Sequence, residues 1–192
     1  LSATKMRLVD YLDHEAVERL LARTYAVYYR HFAEFFGETI VCAFYDEPSI
    51  WRVDGGEMWT PSFAEKFAQA HGFSPLYLSL WKGPEEATIE DARARALLFG
   101  FRSRLYAGEY VGTLHRWCRE HRLRLTGHMD QEEIVNPTAI SGDPMLVMEQ
   151  QDIPGVDEIS FYGRGACAYK LISSAAENFE KEAVMCEVFG AM

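Results

Sequence analysis

Ile40-Val41-Cys42-Ala43-Phe44-Tyr45-Asp46-Glu47-Pro48 is a short apolar run that stops abruptly at two carboxylates and a proline. The run reads as a fully buried strand, 40–45. In a (β/α) barrel of the TIM type, acidic residues at the C-terminal end of a strand face the mouth where catalytic groups sit. A second run, Ala183-Val184-Met185-Cys186-Glu187-Val188-Phe189-Gly190, reads as a strand over 184–188 with one glutamate that looks buried. Two carboxylates brought to one rim by two strands are the equipment for cleaving a glycosidic bond.

The segments between these runs read as helices and further strands. Residues 14–36 have apolar positions at helical spacing, with Asp13 as N-cap and Gly37 as terminator. Thr60-Pro61 opens a short helix whose expected apolar face is Ala64, Phe67 and Ala68. Thr88 to Asp91 resembles a capping box for a long helix reaching about 120. Its expected stripe is Ala92, Ala96, Phe99, Tyr106, Tyr110, Leu114, Trp117 and Cys118, with a kink or break at Gly100, Gly108 or Gly112. A strand is expected at 123–128, a short helix at 144–149, a weaker strand at 156–160 and a helix at 166–180. Alternation of this kind implies parallel strands joined by helical crossovers. The expected fold is α/β: about half of a parallel (β/α) barrel, its later strands, in one domain over 1–192. A complete barrel needs about 250 residues. A small doubly wound sheet is the alternative. Leu1 in place of an initiator methionine, and a stop at Met192 just after a strand, suggest that both ends are cut.

Composition narrows the function. Of the 192 residues 48% are hydrophobic and the formal charge is −10, which suits a packed core and a neutral ligand and argues against a general nucleic-acid binder. No apolar run is long enough to span a membrane. Cys42, Cys118, Cys167 and Cys186 form no CxxC pair and read as small hydrophobes or free thiols. No HExxH, GxSxG or GxGxxG unit occurs, so no nucleotide cofactor is expected.

Glu47 is the first catalytic candidate. Its pre-proline position favours extended backbone, and its carboxylate-rich surroundings would raise its pKa toward that of a general acid. Strand alternation would turn Asp46 the other way. The plainer reading of Glu47 is a strand-end carboxylate that caps a loop amide. Glu187 is the second catalytic candidate, as nucleophile or water-activating base; otherwise it pairs with a core cation. His128, in Thr126-Gly127-His128, is placed to bond a sugar hydroxyl, with Gly127 letting the backbone approach the ligand. Glu132 and Glu133 could replace Glu187 as second carboxylate. Asp46, Asp157 and Trp51 complete the expected substrate contacts, while Asp143 reads as a helix cap. Tyr45, Trp51, Trp59 and Tyr162 are candidate platforms for sugar rings, although loop aromatics more often cover a core.

Taken together, Tyr45-Asp46-Glu47-Pro48, Trp59-Thr60-Pro61, Thr126-Gly127-His128, Gly142-Asp143-Pro144-Met145, Ile153-Pro154-Gly155-Val156-Asp157, Lys170 with Ser173-Ser174-Ala175, and Cys186-Glu187-Val188-Phe189-Gly190 follow a recurring order. That order resembles the catalytic barrel of bacterial glycoside hydrolases related to the α-L-rhamnosidases of family 106. The resemblance implies an inverting, calcium-assisted hydrolase of a glycoside or oligosaccharide; the compartment is left open, with a periplasmic or extracellular setting favoured over a cytoplasmic one. It implies that Glu47 and Glu187 belong to the acid/base and ion-binding set, with Asp46 and Glu187 as metal ligands. Tyr45 departs from the family, where threonine stands, and the loop 129–136 is unusually acidic. An inverting pair of carboxyls would lie about 6.5–9.5 Å apart and a retaining pair about 5–5.5 Å. Two rivals remain: a non-catalytic carbohydrate-binding or scaffold fragment that self-associates through open sheet edges, and a cofactor-dependent α/β enzyme.

Overall fold

The computed structural model describes residues 9–50, 59–83, 85–132, 138–159 and 166–188. Trp51, Glu133 and Tyr162 lie outside the described residues. Four strands, β1 Cys42–Tyr45, β2 Arg124–Gly127, β3 Ile153–Asp157 and β4 Met185–Glu187, form one parallel sheet in the order β1-β2-β3-β4. Each strand pairs with its neighbour in sequence, Tyr45 opposite Gly127 and Asp157 opposite Glu187. The order never reverses among the described strands, so it lacks the switch point that defines a doubly wound sheet.

The register sorts the sheet into two faces. Ala43, Tyr45, Leu125 and Val156 share one face with Cys186, and Tyr45, Leu125 and Val156 are buried there. Helices α5 Gly112–Glu120, α7 Pro144–Gln150 and α8 Ala166–Asn178 cover that side. Phe44, Thr126, Gly155, Met185 and Glu187 share the opposite face, where Phe44 is 47% exposed. Parallel sheets ordinarily have both faces covered; here the helices cover one.

Two glycines let the strands close up. A Cβ on Gly127 would stand 2.3 Å from the Tyr45 carbonyl oxygen, and one on Gly155 would stand 2.4 Å from the Gly127 oxygen. Gly127, at φ +140°, therefore serves contact between strands rather than approach to a ligand.

The helices depart from expectation in instructive ways. The segment 14–36 divides into α1 His14–Arg23, α2 Tyr25–Phe32 and a 3₁₀ turn Ala33–Phe35. The break falls at Thr24, whose hydroxyl donates to the Leu20 carbonyl, the local competition that threonine offers to a helix. Asp13 caps α1 by accepting from the Ala16 amide at 3.1 Å. Helix α3 Phe63–His71 starts two residues after Pro61 and buries Phe63 and Phe67, leaving Ala64 exposed; the phenylalanines offer more apolar area than the alanines. The long helix keeps its capping box at Thr88 and Asp91. Instead of kinking at a glycine, it runs from α4 Ile89–Leu105 through a π turn Tyr106–Val111 into α5. In α4 the buried face is Ala94, Leu98, Phe101 and Leu105, while Ala92 and Ala96 are exposed. The strand expected at 156–160 lies three residues earlier, because Ile153 pairs with Thr126. A short helix α6 Thr138–Ser141 and a 3₁₀ turn Tyr77–Trp81 carry no clear periodic signal. No helix among the described residues is long and apolar enough to cross a membrane.

Candidate active site

All four strands end at one rim, and each delivers an ionisable side chain there. Asp46 and Glu47 follow β1, His128 follows β2, Asp157 is the last residue of β3 and Glu187 the last of β4. His128 is the hub. Its ring is 1% exposed, with Nε2 3.0 Å from Glu187 Oε2 and 3.4 Å from Asp46 Oδ1. Its other nitrogen, Nδ1, stands 3.1 Å from the Met129 carbonyl oxygen. The edge of Phe44 packs on the ring at a centroid distance of 5.5 Å. Asp46, His128 and Glu187 each bring one atom within 4.8 Å of the others, and so do Glu47, His128 and Asp157.

Asp46 and Glu47 thus reach the same histidine, contrary to the alternation expected of a strand. The strand has already ended at Tyr45, and Glu47 adopts φ +43° instead of the extended backbone expected before proline. A non-glycine residue in that region costs on the order of 1–3 kcal/mol and persists only where neighbours enforce it. The left-handed step turns the second carboxylate back toward the first.

Burial lifts the Glu47 carboxyl above its ordinary range. The Asp130 carboxylate adds to the lift, His128 opposes it, and Asp157 and Asp46 contribute further. Asp130 is itself raised, chiefly by burial, against the opposing effects of a Ser49 hydrogen bond and His128. Glu47 is exposed at the rim, and an upward shift among other acids is the direction a general acid needs.

The remaining candidates are distributed as follows. Glu187 directs its side chain outward, 43% exposed, rather than into the core; as the last residue of β4 it faces the rim, not the helices. Glu132 lies within the protein at 2% exposure, accepting from the Met129 amide at 2.7 Å, so its oxygen braces the His128 turn instead of facing the rim. Asp157 accepts from the Ile159 amide at 2.6 Å while keeping its place beside His128. Asp143 caps α7 through the Met145 amide. Tyr45 is buried, its hydroxyl accepting from the Gln151 side chain at 2.7 Å, which removes it as a sugar platform. Trp59 packs into a cluster with Phe63, Tyr77 and Phe99 under the Arg102 guanidinium, so it serves the core.

Asp130, Gln151 and Tyr106 are contributors that sequence reasoning passed over. Asp130 was within reach as one more acid in the loop after β2. Gln151 and Tyr106 act through contacts that no local pattern encodes.

Calcium takes six to eight oxygen ligands. A set centred on an imidazole nitrogen between two carboxylates suits a borderline ion such as zinc or manganese instead. Asp46 and Glu187 with His128 between them therefore do not fit calcium, and no step below runs through a metal. The segments that follow the strands in sequence, 51–58, 133–137, 160–165 and 189–192, lie outside the described residues. At the opposite end of the sheet an open cleft of about 550 Å³, lined by Arg119, Arg124, Asp152 and Lys181 among others, holds no comparable acidic cluster around a histidine.

No family model and no curated protein matches the sequence. Among solved structures, the chain is similar to a rhamnosidase from Novosphingobium sp. PP1Y, with a TM-score of 0.69 and 22% identity over 94% of this chain. The match covers 17% of that rhamnosidase. At this identity the similarity establishes a rhamnosidase-like fold for the segment.

Proposed function

We propose that this chain is the site-bearing portion of a glycoside hydrolase, half of a (β/α) barrel, acting on an α-L-rhamnoside or a related glycoside. The observation that carries the reading is the convergence of Asp46, Glu47, Asp157 and Glu187 on the buried His128 at the C-terminal ends of four successive parallel strands. The sequential strand order and the uncovered sheet face support the barrel. The similarity to a rhamnosidase supports the substrate class.

In this reading Glu47 is the acid. Its raised pKa keeps a proton available, which passes to the glycosidic oxygen as the bond to the anomeric carbon breaks. Glu187 is the base, taking a proton from the water that attacks the anomeric carbon from the opposite face. His128 bonds Glu187 through Nε2, and Asp46 stands 3.4 Å from the same nitrogen, so one imidazole orients both carboxylates. Asp157 keeps the field around Glu47 negative. The partner is a neutral sugar, which suits an acidic chain. Among the described residues β1 and β4 each pair with one strand, and such open sheet edges make self-association an accompanying property.

The test is turnover of an aryl α-L-rhamnoside by the wild-type chain and by Glu47→Gln. Removing a general acid costs about 10²–10⁴ in rate. Equal turnover by both proteins would take Glu47 out of the mechanism. Sugar binding without turnover by the wild type would favour a non-catalytic carbohydrate-binding piece.

A further inference from the structure

The left-handed backbone at Glu47 needs something to hold it, and the buried tyrosines supply the means. Tyr106, fully buried, opens the π turn and donates its hydroxyl to the carbonyl of Pro48, the residue after Glu47. Its ring stacks on Tyr110 at 5.7 Å, and Tyr110 in turn meets Tyr45, the residue before Asp46, at 5.9 Å. Tyr11 packs against both Tyr106 and Tyr110. Asp46 and Glu47 therefore form a two-residue bridge whose two abutments, Tyr45 and Pro48, rest on one ring stack. Tyr106 and Tyr110 both lie in the π turn, and such turns recur at functional sites. Gly142 adjoins the Tyr106 ring at φ +77°, a backbone conformation that favours glycine.

We infer that Tyr106 is a positioning residue: through the Pro48 carbonyl its hydroxyl fixes the turn at Glu47 and with it the approach of the Glu47 carboxyl to His128 and Asp157. The catalytic part of this inference rests on the hydrolase reading; the anchoring does not. A merely structural tyrosine would satisfy its own buried hydroxyl and contribute to overall stability without controlling this corner.

Tyr106→Phe removes the one oxygen and keeps the ring. Amide hydrogen exchange is read at Ser49 and at Ile50, whose amide bonds the Ile140 carbonyl at 2.9 Å, with Leu125 in β2 as reference. The loss of one buried hydrogen bond should speed exchange at Ser49 and Ile50 by roughly 10-fold while Leu125 is unchanged. Tyr110→Phe, which leaves the Pro48 contact in place, should keep wild-type exchange at Ser49 and Ile50. On the aryl rhamnoside, Tyr106→Phe should lower kcat by roughly 10-fold at unchanged KM, the pattern of an interaction made in the transition state. Exchange at Ser49 and Ile50 within twofold of wild type would overturn the inference, as would a uniform increase that includes Leu125. A wild type that hydrolyses no glycoside, together with the local exchange response, would remove the hydrolase reading and leave the anchoring standing.

Discussion

Glu47 departs from the rule of its element, taking φ +43° where the following proline favours extended backbone. Its raised pKa has a directional consequence. If the protonated form is the working acid, kcat should fall as pH rises through that raised value, so the alkaline limb of the profile lies above the range of an ordinary glutamate. A limb at the position of an unperturbed carboxylate would assign the acid elsewhere. The sign for stability agrees: the folded state binds this proton more tightly than the unfolded chain, so the contribution is full below the ordinary value and is lost as pH rises to the raised one. Gly127 makes the opposite point, a residue whose small size is entirely structural. Gly127→Ala puts a methyl within 2.3 Å of the Tyr45 oxygen at φ +140°. Denaturant titration should show a loss of about 4 kcal/mol or more, or no folded protein; a loss under about 1 kcal/mol would mean that the β1–β2 spacing is wrong.

At the scale of elements, caps were legible and faces only in part: Phe67, Tyr106, Tyr110, Leu114 and Cys118 are buried as expected, while Ala64, Ala92 and Ala96 are exposed. Asp13, Thr88 and Asp143 were each readable as caps, because a cap depends on residues within three positions. Thr88→Ala should lower stability by about 1 kcal/mol without altering turnover, as read by thermal unfolding and the rhamnoside assay together. An unchanged Tm would mean that Asp91 and its neighbours hold the turn unaided. The stripe of α4 was misread because alanines at helical spacing look apolar while Leu98 and Phe101 bury more area. The π turn was hidden, since glycines at 108 and 112 suggest weakness without saying how it resolves. The strand ends carrying Asp46, Glu47, His128 and Glu187 could be read from apolar runs that stop at polar residues. The left-handed step at Glu47 could not, because proline signals the reverse preference and a contact such as Tyr106 with Pro48, 58 positions apart, leaves no local pattern.

Across the whole molecule, burial sorts the four thiols. Burial, with Asp152 and Cys42 adding, pushes the Cys118 thiol up to about 12, whereas Cys167 is exposed on α8. A chromogenic disulfide should modify Cys167 first and reach Cys118 only on unfolding; early labelling of Cys118 would contradict its place in the core. The polarity of the sheet reaches further. Every ionisable group of the cluster stands at the strands' C-terminal ends, so the turns at the other end, such as Glu180–Ala183 leading into β4, contribute no member of it. That division separates what may drift from what must persist. Insertions and new attachments can accumulate at the far turns over evolutionary time, giving the same ionisable rim many different neighbours.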